Sequence, residues 1–488
     1  MKNIIPKGFR FQLPKTPKLR KLPPMDHAKK LCAQIDALFN AKSVAIVGLP
    51  RGMKAGKLFL LALLDQGYGG KIYPVHPTAQ EIDGLKAYPS VTAIPGPVDL
   101  AIILVPNQGA LAVVKDCAAK GVKGAVLFTA GYKETGTAEG TAVQAELTRI
   151  ARTTGMRLLG PNCMGLYCPK TGLSFFPELS KEPGPVGLIS HSGSLANLLG
   201  RVAPSKGIRF SKVVSLGNEC DLTSADFLTY LSNDPDTDLI GMYQEGLSNG
   251  PKFLKALKAA SMKKPVILWK VGLTREGGQA AASHTGAMAG AGSIWKAVMQ
   301  QGGAIPVVGF EALADAMMGF SLLPENLGDR MAILSGPGGL AVATSEACGN
   351  RGLRLAKLSQ KTVSTLAEFV PPTGTSIKNP VDVGLTASLD IDIYGRAARA
   401  LGADVGVDAV IILGRGLSPE LNETFIKAII KAQQDYQKPF IMVDIPGTEK
   451  AFGVRFLNAG IPYFESAERA MRVYAAFRQY QLWRRANA

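Results

Sequence analysis

The feature that most constrains the fold is one sequence layout that occurs three times. A short apolar segment, predicted to be a strand, is followed by a loop of small residues and then by a predicted helix. The copies are Ser43-Val-Ala-Ile-Val-Gly-Leu-Pro-Arg-Gly52, Pro185-Val-Gly-Leu-Ile-Ser-His-Ser-Gly-Ser194 and Arg330-Met-Ala-Ile-Leu-Ser-Gly-Pro-Gly-Gly339. Their spacing of about 140 residues matches a small doubly wound domain. The layout therefore predicts three consecutive α/β domains.

The composition agrees with parallel sheets that are buried on both faces. The 488 residues include 54 glycines, and 47% of the chain is apolar. Short runs of Val, Ile and Leu alternate with helical stretches, as in α/β proteins. We predict a basic arm at 1–30 and domains at 31–168, 169–325 and 326–488. The arm carries seven basic residues, three prolines and no acid up to Lys21, and it is either solvated or laid across a partner.

Apolar runs of strand length place the predicted elements within these domains. In the first domain we predict the helix Ala110–Lys120 and the strands Val44–Val47, Ile72–Val75, Leu100–Val105, Ala125–Phe128 and Arg157–Leu159. In the second we predict the helix Leu195–Pro204 and the strands Val186–Ile189, Lys212–Ser215, Leu239–Tyr243 and Val266–Lys270. In the third we predict the strands Ala332–Leu334, Ala409–Leu413 and Phe440–Val443.

Composition and spacing argue against several classes of protein. The six cysteines lack the close pairing of a metal site, and no signal peptide suggests disulfides, so we expect a cytoplasmic protein without a bound metal. No apolar run approaches the roughly 18 residues of a membrane helix, so we expect no membrane association. The net charge is +17, but the basic residues lack an interleaved aromatic platform, so we expect no nucleic-acid partner.

The first small-residue loop is a candidate anion site. A nicotinamide site would need an acid after the second strand, but that strand ends Ile72-Tyr-Pro-Val-His-Pro77. Arg51, Lys54 and Lys57 instead suit a ligand with several phosphates, such as CoA, although each could also be a solvated surface base. His76 is expected to pack against a bound adenosine or to cap a turn.

The second loop, Ser190 to Ser194, could hold a phosphoryl group by backbone N–H groups and serine hydroxyls. Among the four histidines, His284 is the candidate phosphoryl carrier, because it lies in Gln279-Ala-Ala-Ala-Ser-His-Thr-Gly-Ala-Met-Ala-Gly290. Such small neighbours let large anions approach, and a neutral imidazole nitrogen is a nucleophile near neutral pH. Glu245, after the third strand of the second domain, is placed to orient the ring.

Taken together, these motifs resemble the nucleoside-diphosphate-forming acyl-CoA synthetases, and specifically their alpha subunits. The resemblance covers roughly residues 35–480. It rests on the first strand and loop and on further motifs in a specific order: Ile72-Tyr-Pro-Val-His-Pro77, Asp99 to Pro106, Gly160-Pro-Asn-Cys-Met-Gly165, Ile189-Ser-His-Ser-Gly-Ser194, Gly217-Asn218, Gln244-Glu-Gly246, Ser283-His-Thr-Gly286 and Lys378-Asn-Pro-Val-Asp382.

The resemblance implies a Rossmann-like CoA-binding domain followed by two flavodoxin-like domains. It implies that His284 is phosphorylated and that Glu245 orients it. The positions expected to bind phosphate are Ser192, Gly193, Ser194 and Gly286, and those expected to bind CoA are Gly48, Arg51, Lys57, Val75, His76, Pro106 and Asn162. The sequence departs from the family pattern at His191, His76, Cys220 and the loop Ser335 to Gly339, which leaves the acyl substrate open.

The implied reaction converts acyl-CoA, phosphate and ADP or GDP into a carboxylic acid, CoA and ATP or GTP. An acyl phosphate and phosphorylated His284 would be its intermediates. The resemblance also implies a hetero-oligomer, in which an ATP-grasp beta subunit binds the nucleotide and Mg²⁺. The alternatives are a non-catalytic acyl-CoA sensor, an NAD-dependent dehydrogenase and part of a protein acetyltransferase. The dehydrogenase is disfavoured because no acidic residue follows the second strand to bind a ribose.

Overall fold

The computed structural model describes residues 25–285, 291–444 and 450–488, with the side chains of 25–27, 282–285 and 450 left undescribed. The first part of the chain contains α1 (Met25–Phe39), β1 (Ser43–Val47), α2 (Lys57–Asp65), β2 (Lys71–Val75), β3 (Glu81–Ile82), β4 (Leu85–Lys86), β5 (Leu100–Ile103), α3 (Asn107–Lys120), β6 (Gly124–Leu127), α4 (Ala138–Thr154) and β7 (Arg157–Leu159).

The first sheet is parallel and has the strand order β2-β1-β5-β6-β7. Every residue of β1, β5 and β6 is buried, as expected for strands that helices cover on both faces. The predicted strands of this domain are confirmed to within two residues at each end. The predicted helix Ala110–Lys120 begins three residues earlier, at Asn107, directly after the turn-forming Pro106.

The middle of the chain builds a second sheet around its own helices. Its elements are β8 (Gly165–Tyr167), β9 (Val186–Ser190), α5 (Gly193–Val202), β10 (Phe210–Ser215), α6 (Ser224–Leu231), β11 (Leu239–Gln244), α7 (Gly250–Ser261), β12 (Val266–Lys270), α8 (Arg275–Thr285), α9 (Gly292–Gly302), β13 (Ile305–Val307) and α10 (Phe310–Leu322). Its strand order is β13-β12-β11-β9-β10-β8.

The short strand β8 lies within the range predicted for the first domain, 31–168. It pairs antiparallel with β10, Val213 lying opposite Tyr167. It therefore belongs to the second sheet. The predicted helix Leu195–Pro204 is also shifted, since α5 ends at Val202 and a 3-10 turn follows at Ala203–Lys206, where Pro204 lacks the N–H that a longer α-helix would need.

The last part of the chain forms a third sheet. Its elements are β14 (Arg330–Ser335), α11 (Gly338–Gly349), β15 (Arg354–Leu355), α12 (Gln360–Ala367), β16 (Val381–Asp382), α13 (Ile391–Ala403), β17 (Ala409–Leu413), α14 (Pro419–Tyr436), β18 (Phe440–Val443), α15 (Lys450–Asn458), β19 (Tyr463–Phe464) and α16 (Ala467–Asn487). The strand order is β15-β14-β17-β18-β19, and β16 pairs with β14. No described helix combines the length and the apolar character that crossing a bilayer requires.

Helices at both ends of the chain join neighbouring sheets. Helix α1 packs on α6, where the Phe39 and Tyr230 rings stack 5.7 Å apart and the Tyr230 hydroxyl donates to Asp36 at 2.9 Å. Helix α16 packs on α10 and α11. Its Arg469 guanidinium contacts both carboxylate oxygens of Asp315, at 2.7 and 2.8 Å.

This ion pair generates a prediction about stability. The Asp315 side chain is only 2% exposed, so removing its main partner leaves a buried carboxylate poorly compensated. We expect Arg469→Ala to destabilise the fold by about 3 kcal/mol, which corresponds to a melting temperature about 3 °C lower for a chain of this length. The control is Arg354→Ala, since Arg354 is 69% exposed and its pair with Asp329 should contribute less than about 1 kcal/mol. Equal shifts in a calorimetric melt would contradict this prediction.

Candidate functional site

All three small-residue loops lie at equivalent places in their sheets. Counting the main strands of each sheet in chain order, the spatial order is 2-1-3-4-5 every time. In this topology the helices beside the first and third strands leave on opposite faces, which opens a crevice at the carboxyl ends of those strands. The crevices lie between β1 and β5, between β9 and β11, and between β14 and β17. Each predicted loop begins in its crevice.

The first crevice brings together three of the predicted CoA positions. The Gly48 N–H donates to the Val75 carbonyl at 2.9 Å, and Pro106 precedes the first turn of α3. Gly48 has φ +83°, and a Cβ there would lie 2.8 Å from Val105 Cγ1. A glycine is therefore required where these three strand ends meet.

A turn beside this crevice joins two further predicted residues through Thr78. The exposed Arg51 donates to Thr78 Oγ1 at 3.1 Å. His76 Nδ1 accepts the backbone N–H groups of Thr78 and Ala79, at 3.2 and 3.1 Å. His76 therefore caps a turn, which is one of the two roles expected of it. Lys54 is exposed beside Arg51 in the same loop.

The structure corrects the expectation for Lys57. Its Nζ lies 2.5 Å from Asp83 Oδ2, and the lysine side chain is only 5% exposed. Asp83 is supplied by the turn between β3 and β4. Because this ion pair, which is buried only on the lysine side, occupies the ammonium group, Lys57 holds the hairpin in place and does not present its charge to a ligand.

A cavity of about 190 Å³ lies where the first and second sheets meet. Its lining residues come from both sides of the junction: Phe128, Asn162, Cys163, Met164, His191, Ser192, Gly193, Ser194 and Gly217. It thus unites Asn162, a predicted CoA residue, with the three described residues of the predicted phosphate loop. The sequence analysis did not predict a role for three other lining residues, Phe128, Cys163 and Met164, whose only signal was a place in or near a shared motif.

One wall of this cavity is the start of helix α5. Ser192 is the N-cap residue, and its Oγ accepts the Leu195 N–H at 3.3 Å and lies 3.1 Å from Ser194 Oγ. The first N–H groups of an α-helix have no partner within the helix, and its dipole favours negative charge there. The loop therefore offers both backbone and hydroxyl donors to an anion such as phosphate.

Two glycines allow the cavity walls to approach each other. A Cβ at Gly193 would lie 2.5 Å from Met164 Cγ, and one at Gly217 would lie 2.1 Å from the Pro161 carbonyl oxygen. Gly217 also has φ +56°. In addition, the Asn218 N–H donates to the Pro161 carbonyl at 3.0 Å. The loop after β10 is therefore fixed against the end of the first domain.

Glu245 follows β11 on the other side of the second crevice and is buried. Lys270, at the end of β12, donates to the Glu245 carbonyl oxygen at 2.8 Å and to that of Val271. Its Nζ lies 4.7 Å from the centre of the Trp295 ring. Burial lowers the pKa of Lys270 to about 8, although the negative charge of Glu245 acts in the opposite direction.

His284 lies in the last turn of helix α8, which begins shortly after β12 and contacts the 3-10 turn Lys133–Thr135 of the first domain. The described side chains of this helix end at Ala281, and Gly286 lies outside the described residues. Among the described residues, no three His, Cys, Asp or Glu side chains are grouped closely enough to bind a metal ion.

Two buried polar residues at this site were not predicted. Glu219 Oε1 and Gln244 Nε2 lie 3.1 and 2.7 Å from His191 Nε2. The sequence signals were slight: His191 departs from the family pattern, and Glu219 follows the Gly217-Asn218 motif. Neither signal indicates that residues 28 positions apart meet in space.

Family models match two parts of the chain. A model described as a CoA binding domain matches residues 42–169. One described as a succinyl-CoA ligase like flavodoxin domain matches residues 183–320. Each match includes one of the crevices described above, and together they cover more than half of the chain.

Named relatives and a solved structure match most of the chain. An ADP-forming acetate–CoA ligase II subunit alpha from Pyrococcus furiosus is 37% identical over 91% of this chain and 98% of the relative. The ADP-forming acetate–CoA ligase I from Archaeoglobus fulgidus is 35% identical, with 91% of this chain and 64% of that protein covered. An acetyl-coenzyme A synthetase 1 from Ca. Korarchaeum cryptofilum, solved with phosphate and ADP, is 34% identical with a TM-score of 0.84 over 92% of this chain and 97% of that one.

Lys270 generates a prediction about pH. Its folded pKa of about 8 lies below its ordinary value of 10.5, so the unfolded chain binds more protons between these two values. The contribution of this lysine to stability therefore rises with pH across that window. We expect the melting temperature of the natural protein, relative to that of Lys270→Met, to increase from pH 8 to pH 10. A difference that is constant or falls over this range would show that the burial of Lys270 does not penalise its charge.

Proposed function

We propose that this chain is the alpha subunit of an acyl-CoA ligase. Its similarity to relatives named as alpha subunits shows that it belongs to the nucleoside-diphosphate-forming acyl-CoA synthetase family. It would interconvert acyl-CoA, phosphate and ADP with a carboxylic acid, CoA and ATP. The P. furiosus, A. fulgidus and Ca. K. cryptofilum relatives are named for acetate or acetyl-CoA, whereas one from Nitrosopumilus maritimus is named for 4-hydroxybutyrate. We therefore propose a small carboxylic acid as the substrate.

The observation that carries this proposal is the cavity at the start of α5. It is lined by residues of the CoA-binding match and of the ligase match, so a thioester held by the first part could meet a phosphate held by the second. Its volume of about 190 Å³ suits a small acyl group beside one phosphate. We assign the three sheets to three domains, with the first boundary before β8 and the second near residue 325.

The fit of the first crevice to CoA rests on its shape and charge. Gly48 lets the ends of β1 and β5 pack closely, since a Cβ there would meet Val105, and Arg51 and Lys54 are exposed cations beside it. A CoA pyrophosphate or 3′-phosphate would be held by such side chains. CoA supplies the thiol that forms the thioester, and the acyl end would point toward Asn162 at the shared cavity.

The second crevice supplies the groups for phosphoryl transfer. The N–H groups at the start of α5 and the hydroxyls of Ser192 and Ser194 would hold the phosphoryl oxygens and stabilise their charge during transfer. Glu245, buried at the end of β11, would hold the second nitrogen of the His284 ring and thereby select its tautomer. His284 would then accept the phosphoryl group and pass it on.

The nucleotide step requires a partner in this proposal. The chain matches 98% of the alpha subunit from P. furiosus but 64% of the longer A. fulgidus ligase, so the longer relative has a segment that the match does not cover. We propose that an ATP-grasp beta subunit supplies the ADP and Mg²⁺ site in a hetero-oligomer. The net charge of +17 would favour an acidic face on that partner.

The first test is phosphorylation of His284. The purified chain, with a panel of acyl-CoAs and phosphate, should gain one acid-labile phosphoryl group by intact mass. His284→Ala should abolish this gain, and Glu245→Gln should slow it by about 100-fold, because the ring loses its orienting charge. The control is His27→Ala, outside the proposed site. Phosphorylation of the His284→Ala chain would exclude His284 as the carrier.

The second test is CoA affinity. We expect Arg51→Ala to weaken CoA binding about tenfold in calorimetry, because one exposed contact between a guanidinium and a phosphate is lost. Arg152→Ala removes another exposed base, from the last turn of α4, and should leave affinity unchanged. Binding of NADH in place of CoA would show that the first crevice has been misinterpreted.

A further inference from the structure

His191 is a buried, titratable group that the mechanism above does not use. It directly follows β9 in the second crevice, where its backbone N–H donates to the Tyr243 carbonyl at 3.1 Å. Its side chain is only 3% exposed, and it lines the cavity beside Ser192. An imidazole therefore lies directly beside the loop that would hold phosphate.

The protein holds this imidazole by one of its two nitrogens. Nε2 lies 3.1 Å from Glu219 Oε1, and the Glu219 side chain is only 4% exposed. The same carboxylate oxygen accepts the Ser224 N–H at 2.6 Å, so its position is fixed. Buried carboxylates that accept from an imidazole N–H favour the tautomer with the proton at that nitrogen and stabilise the imidazolium.

The neighbouring amide of Gln244 bears on that tautomer. Its nitrogen lies 2.7 Å from His191 Nε2, and an amide nitrogen cannot accept a hydrogen bond. The amide oxygen, in contrast, is buried and has no partner among the described residues. Turning the amide by 180° places that oxygen beside His191 Nε2, where it accepts from the same N–H as Glu219, at the cost of the amide's contact with the Gly246 carbonyl oxygen.

The other ring nitrogen, His191 Nδ1, is buried and has no hydrogen-bond partner among the described residues. Buried polar atoms in folded proteins are nearly always paired, and an exception commonly marks a place that a ligand completes. With Nε2 protonated, Nδ1 carries a lone pair, so the nitrogen without a partner is a base at the wall of the proposed phosphate site.

We propose that His191 carries the proton of the first half-reaction, in which phosphate attacks the thioester. This inference rests on the proposed function. The phosphate oxygen forms a bond to the acyl carbon while the carbon–sulfur bond breaks. The proton of the hydrogen phosphate passes to His191 Nδ1 and from there to the departing CoA sulfur. His191 ends the step neutral, and the Glu219 carboxylate stabilises the imidazolium in between.

The test separates this step from phosphoryl transfer. Arsenate replaces phosphate in the full chain, alone and with its partner subunit, and CoA thiol release from acyl-CoA is followed. An acyl arsenate hydrolyses in water, so this reaction does not need His284. In a second assay, His284 is labelled from the acyl phosphate, which transfers no proton to a thiolate.

We expect His191→Gln to lower the kcat of arsenolysis about 100-fold while the KM for arsenate changes little, because glutamine fills the site but does not titrate. Labelling of His284 should stay within about threefold of the natural rate. Glu219→Gln, which keeps His191 but removes its charged partner, should slow arsenolysis about tenfold with the same selectivity. Thr237→Val removes a buried hydroxyl just before β11, at the amino ends of the strands and away from the crevice, and should leave the ratio of the two rates unchanged.

The outcomes are distinguishable. If the natural protein releases no thiol, the proposed acyl-CoA activity fails and His191 loses its role with it. If arsenolysis is unaffected by His191→Gln, proton transfer by His191 is wrong, while the proposed function stands. An equal loss in both assays would show that His191 only supports the loop. If a thermal melt shows that His191→Gln does not fold, the rates of arsenolysis and of His284 labelling are compared for Glu219→Gln instead. A selective loss of arsenolysis would support the proposal, and an equal loss of both would contradict it.

Discussion

The pairing of β9 with both β10 and β11 determines where everything else at the site can lie. Because the first and third strands of this sheet are neighbours, the segments that follow them leave toward opposite faces. Between them the sheet edge stays open, with Ser190 and Tyr243 in register beneath it. The helix start at Gly193, the buried Glu245 and the imidazole of His191 all follow from this one crossover.

The second requirement is that the chain after the first sheet reaches this opening. It does so through backbone contacts, since the loop at residues 160–164 lies against the turn at 217–220, with hydrogen bonds from Asn218 to Pro161 and from Cys220 to Gly160. Side chains larger than hydrogen at Gly193 and Gly217 would separate the two surfaces. Contact between backbones fixes distance more rigidly than contact between long side chains, because fewer rotatable bonds intervene. The cavity therefore has a defined volume in which two substrates can be aligned.

The sequence predicts the repeated part of this architecture well, because long apolar strands followed by small residues carry a local signal. It locates β1, β9 and β14, their loops, and the residues at the cavity wall such as Ser192 and Asn162. It finds the three-residue strand β7 but misses other strands of two or three residues, such as β13 and β19, since so few positions show no periodicity. It also misassigns Lys57, because Asp83 lies 26 residues away and only the folded chain brings the two together. The contact between His191 and Glu219 could not be predicted for the same reason, because residues that meet across a crossover connection have no fixed spacing in the sequence.

The small antiparallel strand β8 has a consequence for the integrity of the sheet. Without it, β10 would be an outer strand whose central residues Val213 and Val214 show unpaired backbone groups on one side. Open, apolar sheet margins of this kind invite pairing with other chains and lead to aggregation. The segment that connects the first two sheets thus also covers the outer strand of the second. A fragment that begins at residue 169 would lack β8 and be prone to self-association, whereas one that begins before Gly160 would keep β8 paired with β10.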